Sequence, residues 1–308
     1  MAFDLQGHRG ARGLVPENTL PGFAAALSLG VSTLELDVGV SADGVVVIAH
    51  DRRLNPDITR DATGAWIAHP APTIRSLSFA QLQAYDVGRI QPGSDYERRH
   101  PQQKAMDGVR MPRLADLFAL LEKSGNQSVR LNIETKLSPL APQETLDPEA
   151  FARALIDVVR AARMQARVTV QSFDWRSLIA VQKLAPGMAT SCLTAQQPWM
   201  DYIRAGEPAG SPWVAGFQLQ AHGSLPRMVK AAGCGTWSPF MGDINKAMVA
   251  EAQALGLKVL PWTVNEPAQL RAVLELGVDG LITDRPDLAR AALAERGVAL
   301  PAPTPVQL

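Results

Sequence analysis

An α/β fold, a TIM-type (β/α)8 barrel with an insertion after its second strand, accounts best for this chain. Three features point to it. Apolar, β-branched runs alternate with Ala/Leu-rich runs of helical period, which implies serial αβ units and a parallel sheet covered by helices. Eight strand candidates fall within 308 residues, which suits a closed barrel better than an open doubly wound sheet. A weak internal repeat of helix end, glycine and strand recurs at Leu27–Leu36, Ala254–Pro261 and Leu274–Ile282.

The first strand candidate, Phe3–Gly7, runs into His8-Arg9-Gly10. A helix over Leu20–Leu29 follows, with Thr19 as its N-cap and Gly30 as its C-terminal glycine. The second strand is Thr33–Val40, and Val45–Ala49 is a further strand-like run ending at His50-Asp51. Residues 51–113 break the alternation. They hold many of the prolines, a helix-like patch at Phe79–Tyr85 and the polar run Glu97-Arg98-Arg99-His100. The segment is too long for an ordinary βα loop, so a lid or substrate-shaping insertion at the C-terminal rim is expected. The alternation then resumes with helix Leu114–Lys123, strand Val129–Thr135, helix Pro148–Arg163, strand Arg167–Phe173, helix Trp175–Leu184 and strand Ala189–Leu193. The apolar run Ala215–Gln220 is assigned to a loop elaboration between strands five and six. Strand Gly235–Pro239, helix Ile244–Leu255, strand Lys258–Val264, helix Pro267–Leu276 and strand Gly280–Thr283 complete a single domain over residues 1–308.

Composition narrows the function. Thirty basic and thirty acidic residues give zero formal charge, which argues against a nucleic-acid partner while leaving room for a local basic pocket. Apolar residues at 46% and charged residues at 19% rule out a disordered chain. No apolar run reaches the ~18–20 residues of a membrane span, so stable membrane insertion is not expected. Met1-Ala2 leads into the first strand without a basic or apolar leader segment. The expected location is cytoplasmic, with a periplasmic location as the alternative if a leader once preceded Met1. Cys192 and Cys234 form no CxxC and are expected to be two reduced, half-buried thiols, a disulfide being the alternative.

Chemistry concentrates at strand ends. In Leu34-Glu35-Leu36-Asp37-Val38, side chains alternate faces, so Glu35 and Asp37 point one way and the apolar residues point to the helix layer. Adjacent inward carboxylates repel and are costly to desolvate, so a cation must offset them. A salt bridge to Arg or Lys would do so, as would a metal. Glu134 and Lys136 share a face by the same period. If Glu134 lies beside Glu35 and Asp37, one lysine cannot balance three anions. One hard divalent cation can, and all-oxygen ligation points to Mg²⁺ or Ca²⁺ rather than zinc. At the first strand's end, glycines flank His8-Arg9, and Arg9 offers a planar fork suited to phosphate. His8 and His50, both at strand ends beside these acids, are the candidates for acid–base work. His69, His100 and His222 lie in loop-like contexts and are read as structural.

His8-Arg9-Gly10, Pro16-Glu17-Asn18-Thr19, Glu35-Leu36-Asp37, His50-Asp51, Glu134-Thr135-Lys136, Gln171-Ser172-Phe173, Trp262-Thr263-Val264-Asn265 and Gly280 through Pro286 occur in this order. Together they resemble the glycerophosphodiester phosphodiesterase family, from about residue 5 to residue 290. The resemblance implies a TIM barrel with an insertion after strand two. It implies metal ligation by Glu35, Asp37 and Glu134, general acid–base roles for His8 and His50, and phosphate binding by Arg9 and Lys136. Phe173 and Trp262 would line the pocket near the glycerol. The implied substrate is a small glycerophosphodiester, cleaved to sn-glycerol 3-phosphate and an alcohol. The implied attacker is the adjacent glycerol hydroxyl, giving a cyclic phosphate that water opens; direct attack by water is the alternative. All seven polar positions are present, which argues against an inactive member. A phospholipase D-like lyase acting on a lysophospholipid or sphingolipid, and a non-catalytic binder of glycerophosphodiesters, are the competing readings. In the glycerophosphodiester reading, residues 51–113 are expected to overhang the mouth and act on the alcohol side of the diester; their polarity argues against an acyl-chain groove.

Overall fold

The computed structural model describes residues 2–308. Eight strands form the barrel wall: β1 Asp4–Gly7, β2 Thr33–Val40, β3 Arg130–Thr135, β4 Val168–Ser172, β5 Ala189–Thr194, β6 Thr236–Pro239, β7 Lys258–Val259 and β8 Gly280–Thr283. Every neighbouring pair in the order β7-β6-β5-β4-β3-β2-β1-β8 is parallel. Between β7 and β8 the wall is bridged by single backbone bonds, from Asp279 N to Val259 O at 3.1 Å and from Ile282 N to Pro261 O at 2.9 Å.

One helix follows each strand: α1 Leu20–Leu29, α2 Leu114–Ser124, α3 Pro148–Ala161, α4 Trp175–Leu184, α5 Leu225–Ala231, α6 Lys246–Ala254, α7 Pro267–Glu275 and α8 Pro286–Glu295. The capping of α1 is as the sequence predicts. Thr19 accepts from the Gly22 N–H at 3.1 Å, and Gly30, at φ 81°, returns its N–H to the carbonyls of Ala26 and Leu27. Helices α5 and α8 are additional to the helices expected from the sequence. Each opens on a proline in its first turn, where the missing N–H costs nothing, and α5 has only seven residues.

Strand pleating divides the core. Leu34, Leu36 and Val38 of β2 are fully buried against the helix layer, while Glu35 and Asp37 point into the barrel. Below the carboxylates the interior is packed with amides. Asn132 donates to Gln6 and to Gln171, both at 2.9 Å, which satisfies those two buried carbonyl oxygens, while its own Oδ1 has no partner among the described residues.

After β2, Val46–Ile48 turns back antiparallel on it, pairing Ile48 with Val38. Residues 51–113 then gather over a small core of their own: Val47, Leu54, Ala71, Ile74, Leu82 and Met111. Their helical pieces are short, at Phe79–Leu82 and Asp95–Arg99. The segment between β5 and β6 is also elaborated, with a small antiparallel hairpin, Gln196–Gln197 against Met200–Asp201, and a short helix at Leu219–His222. No helix among the described residues is long and apolar enough to cross a membrane.

Two expectations need correction. The strand read as Lys258–Val264 ends at Val259, because Pro261 has no N–H for a ladder and the chain continues irregularly to Val264. Cys192 and Cys234 are not reduced thiols. They form a disulfide with Cα atoms 6.0 Å apart, and both are buried. Their separation of 42 residues conceals that β5 and β6 are paired neighbours, which brings the two together.

Candidate active site

The C-terminal ends of the strands converge on one cleft. His8, Arg9, Glu35, His50, Glu134, Lys136, Phe173 and Trp262 all line it. Asp37 does not line it but is tied to this group through Arg9 and Lys136. The register of β2 on β3 sets Asp37 directly opposite Glu134 and Glu35 opposite Asn132. One carboxylate oxygen from each of Glu35, Asp37 and Glu134 can be chosen so that all lie within 4.8 Å of one another.

Each carboxylate is oriented by a donor. The Arg9 backbone N–H reaches Glu35 Oε2 at 2.9 Å and Gln171 Nε2 reaches Oε1 at 2.7 Å. Asn18 Nδ2 donates to Asp37 Oδ2 at 2.9 Å. The other oxygen, Asp37 Oδ1, is buried with no hydrogen-bond partner among the described residues, and so is Arg9 Nε. Glu17 engages Arg9 at 2.7 Å and Asp284 engages Arg12 at 2.9 Å. Lys136 therefore faces the three acids with only the edge of Arg9 beside it, 2.7 Å from Glu134 and 3.6 Å from Asp37.

The protonation behaviour of the cluster reflects this shortage of positive charge. Burial and the neighbouring Asp37 push the Glu35 carboxyl well above the ordinary range. Burial, opposed by Lys136 and reinforced by Asp37, raises Glu134 to about 7. For Asp37 burial works upward, but His50, Lys136 and Arg9 outweigh it and hold the group below the usual carboxylate range. Three convergent buried oxygen donors, one of them the unpartnered Asp37 Oδ1, fit a hard divalent cation.

The histidines are built alike. His8 Nδ1 lies 2.6 Å from Asp284 Oδ1, and its Nε2 is 3.8 Å from Glu35. His50 Nδ1 lies 2.9 Å from Asp51 Oδ1, and its Nε2 is 3.1 Å from Lys136 Nζ. With the Nδ1–H donated to a carboxylate, Nε2 of each ring carries the lone pair toward the cleft. Burial, with the Arg12 charge, lowers His8 to about 4 against the pull of Asp284. Burial, with Arg9 and Lys136, lowers His50 as well. The other three histidines do not line the cleft; His100 packs on Tyr96 with ring centroids 4.9 Å apart.

The supporting residues were not assigned roles from sequence. Glu17, Asn18, Asp51, Gln171 and Asp284 sit within the ordered motifs, so a signal was present. Arg12 had only its position four residues after His8. Tyr96 had none, yet its hydroxyl donates to Glu17 and accepts from Arg12 at 3.2 Å. Through Tyr96 the insertion reaches the site from behind Arg9 and Arg12. No residue of 51–113 lines the cleft itself; its outer wall is drawn from Trp199, Met200, Tyr202 and Phe240. Asp51, Arg53, Leu54 and Asn55 of the insertion line an adjoining pocket together with His50.

The chain matches the model of the glycerophosphoryl diester phosphodiesterase family over residues 8–288. It is 27% identical to a glycerophosphodiester phosphodiesterase of Caldanaerobacter subterraneus over 280 residues, covering 91% of this chain and 93% of the relative. Among crystal structures it resembles a Silicibacter pomeroyi protein, provisionally assigned as a glycerophosphoryl diester phosphodiesterase. That match has a TM-score of 0.86 and 37% identity, covering 97% of this chain and 95% of the other. An Oleispira antarctica phosphodiesterase, solved with the product sn-glycerol 3-phosphate, shares the fold with a TM-score of 0.68 and 22% identity, over 95% of this chain and 97% of the other.

Proposed function

The chain belongs to the glycerophosphoryl diester phosphodiesterase family and is a phosphoric diester hydrolase, and we propose that it cleaves glycerophosphodiesters to sn-glycerol 3-phosphate and an alcohol by metal-dependent, two-histidine catalysis. The observation that carries this reading is the junction of three buried carboxylates with two carboxylate-backed histidines in one cleft. Glu35, Asp37 and Glu134 would hold one divalent cation, Mg²⁺ or Ca²⁺. When bound, it supplies Lewis-acid masking of the phosphate charge.

Arg9 and Lys136 bind the phosphate oxygens and stabilise the charge that builds in the transition state. One histidine accepts the proton of the attacking oxygen through Nε2. The other protonates the departing alkoxide as its P–O bond breaks. The attacker in this reading is the adjacent glycerol hydroxyl, whose placement on the same substrate gives a large proximity advantage; the cyclic phosphate so formed is then opened by water to sn-glycerol 3-phosphate. Asp284 and Asp51 hold the two rings in the required tautomer and favour each imidazolium as it forms. Phe173 and Trp262 pack against the glycerol. Residues 1–308 act as one domain in which 51–113 supports the acidic and arginine layer behind the site. Of the two compartments considered, the buried Cys192–Cys234 bridge favours the oxidising, periplasmic one.

The test is release of glycerol 3-phosphate from glycerophosphocholine, glycerophosphoethanolamine and glycerophosphoinositol, with Mg²⁺, with Ca²⁺ and with excess chelator. Turnover that is lost on chelation and restored by one of the two ions is expected. Binding without turnover would refute the catalytic reading, and full activity in chelator would refute the metal.

A further inference from the structure

The cleft has two unlike halves. All of its charged and imidazole groups, His8, Arg9, Arg12, Glu35, His50, Glu134 and Lys136, lie among the strand ends that hold the acid cluster. Much of the remaining lining is aromatic and uncharged. Phe173 stacks on Tyr202 at 4.2 Å between ring centroids and meets Trp262 edge-on at 5.4 Å. Trp262 meets Phe240 at 5.5 Å, and Phe240 meets Trp199 at 5.5 Å. The series runs outward: the first four rings are half-buried, whereas Trp199 is 68% exposed.

An indole this exposed is not there to fill a core. It is also not on a loose tip. Trp199 sits between the two short strands of the Gln196–Asp201 hairpin, and Asp243 pins that hairpin. The carboxylate accepts from Gln196 N at 2.7 Å and from Gln197 Nε2 at 2.5 Å. Trp262 is held in turn by its Nε1, which donates to Ser238 O at 2.9 Å. Two indoles and the phenyl ring between them are thus presented in set orientations at the outer edge of the cleft.

We propose that Trp199, backed by Phe240, is the specificity-determining residue for the departing alcohol, and that it favours an alcohol bearing a quaternary ammonium group. The inference rests on the reading of the cleft as a glycerophosphodiester site and deepens it. With the phosphate among the charged groups and the glycerol against Phe173 and Trp262, the departing alcohol extends to the outer edge of the cleft, where Phe240 and the exposed Trp199 stand. Ring faces are electron-rich and attract a diffuse cation whose methyl groups need no hydrogen bonds. Asp201 and Asp243 of the hairpin region do not line the cleft, which leaves this wall without a carboxylate to pair with a primary ammonium and with only the Tyr202 and Thr263 hydroxyls to serve a polyol. An acyl chain would need an apolar groove continuing beyond the rings, and this series ends in solvent at Trp199.

The experiment compares kcat/KM of the metal-loaded wild type, Trp199→Ala and Trp199→Phe on glycerophosphocholine, glycerophosphoethanolamine and glycerophosphoinositol. Circular dichroism confirms the fold of each variant. The wild type should prefer the choline ester. Trp199→Ala should lower the choline-to-inositol ratio of kcat/KM roughly 3- to 30-fold, the range of one cation–π contact, and Trp199→Phe should keep most of it. A wild type without choline preference would overturn the proposal, as would a ratio unmoved by Trp199→Ala. Equal losses on all three esters would reduce Trp199 to a structural role and overturn it too. If the wild type turns over none of the esters, the reading of the cleft fails first, and that result is distinct from an unmoved ratio.

Discussion

Asp284→Asn removes one charge from behind His8 while keeping the shape of the side chain. The carboxylate is 3% exposed and serves three partners: His8 Nδ1 at 2.6 Å, Arg12 Nε and Nη2 at 2.9 and 3.0 Å, and Asn265 Nδ2 at 2.8 Å. Burial would raise its pKa, but Arg12 and His8 outweigh burial, so Asp284 is ionised well below the ordinary carboxylate range. Asparagine still accepts from Arg12 and leaves the packing in place. It cannot stabilise an imidazolium, nor does it select the Nδ1–H tautomer. A hydrogen bond to a charged group contributes about 1.5–3 kcal/mol. At about 1.4 kcal/mol per factor of ten, kcat should fall roughly 10- to 100-fold. The assay is steady-state glycerol 3-phosphate release at saturating substrate, beside a thermal melt that verifies folding. The same substitution in a His8→Ala background should cost little more, because the two residues act as a unit. A kcat within twofold of wild type would refute the reasoning. So would a full additional loss in the His8→Ala background, which would show that Asp284 acts elsewhere.

Two further outcomes follow from the same geometry. His50→Ala should lower kcat by roughly 10²–10⁴-fold, the scale of lost acid–base catalysis, and a near-normal kcat would remove His50 from that role. Reducing the Cys192–Cys234 bridge, which spans 42 residues, should destabilise the barrel by about 4 kcal/mol in the chain-entropy description. Denaturant unfolding of oxidised and reduced protein measures this, and coincident midpoints would contradict it.

Much of the architecture was legible because its causes are local. The period-two pattern of Leu34–Val38 places Glu35 and Asp37 inside the barrel whatever surrounds them. Thr19 and Gly30 bound α1 through bonds made within a few residues. The recurring helix–glycine–strand junctions specify serial units, and a parallel βα chain of this length closes into a barrel. The metal-binding candidates and both histidines could be named because strand ends meet at one face in that fold.

What escaped the reading depends on which strands and loops become neighbours. Asp284 backs His8 across 276 residues, because β8 pairs with β1. Tyr96 meets Glu17 across 79 residues from inside an irregular insertion with no periodicity to place it. Cys192 and Cys234 bond because β5 and β6 are adjacent, a fact absent from their spacing. The 196–201 hairpin contributes to the outer wall of the cleft, a placement that loop length does not disclose. Alternation along a strand is dictated by the covalent pleat of the chain, so sequence alone determines which way a side chain faces. Its partners are decided by strand register and loop packing, which are set only when distant segments bury their apolar surfaces together.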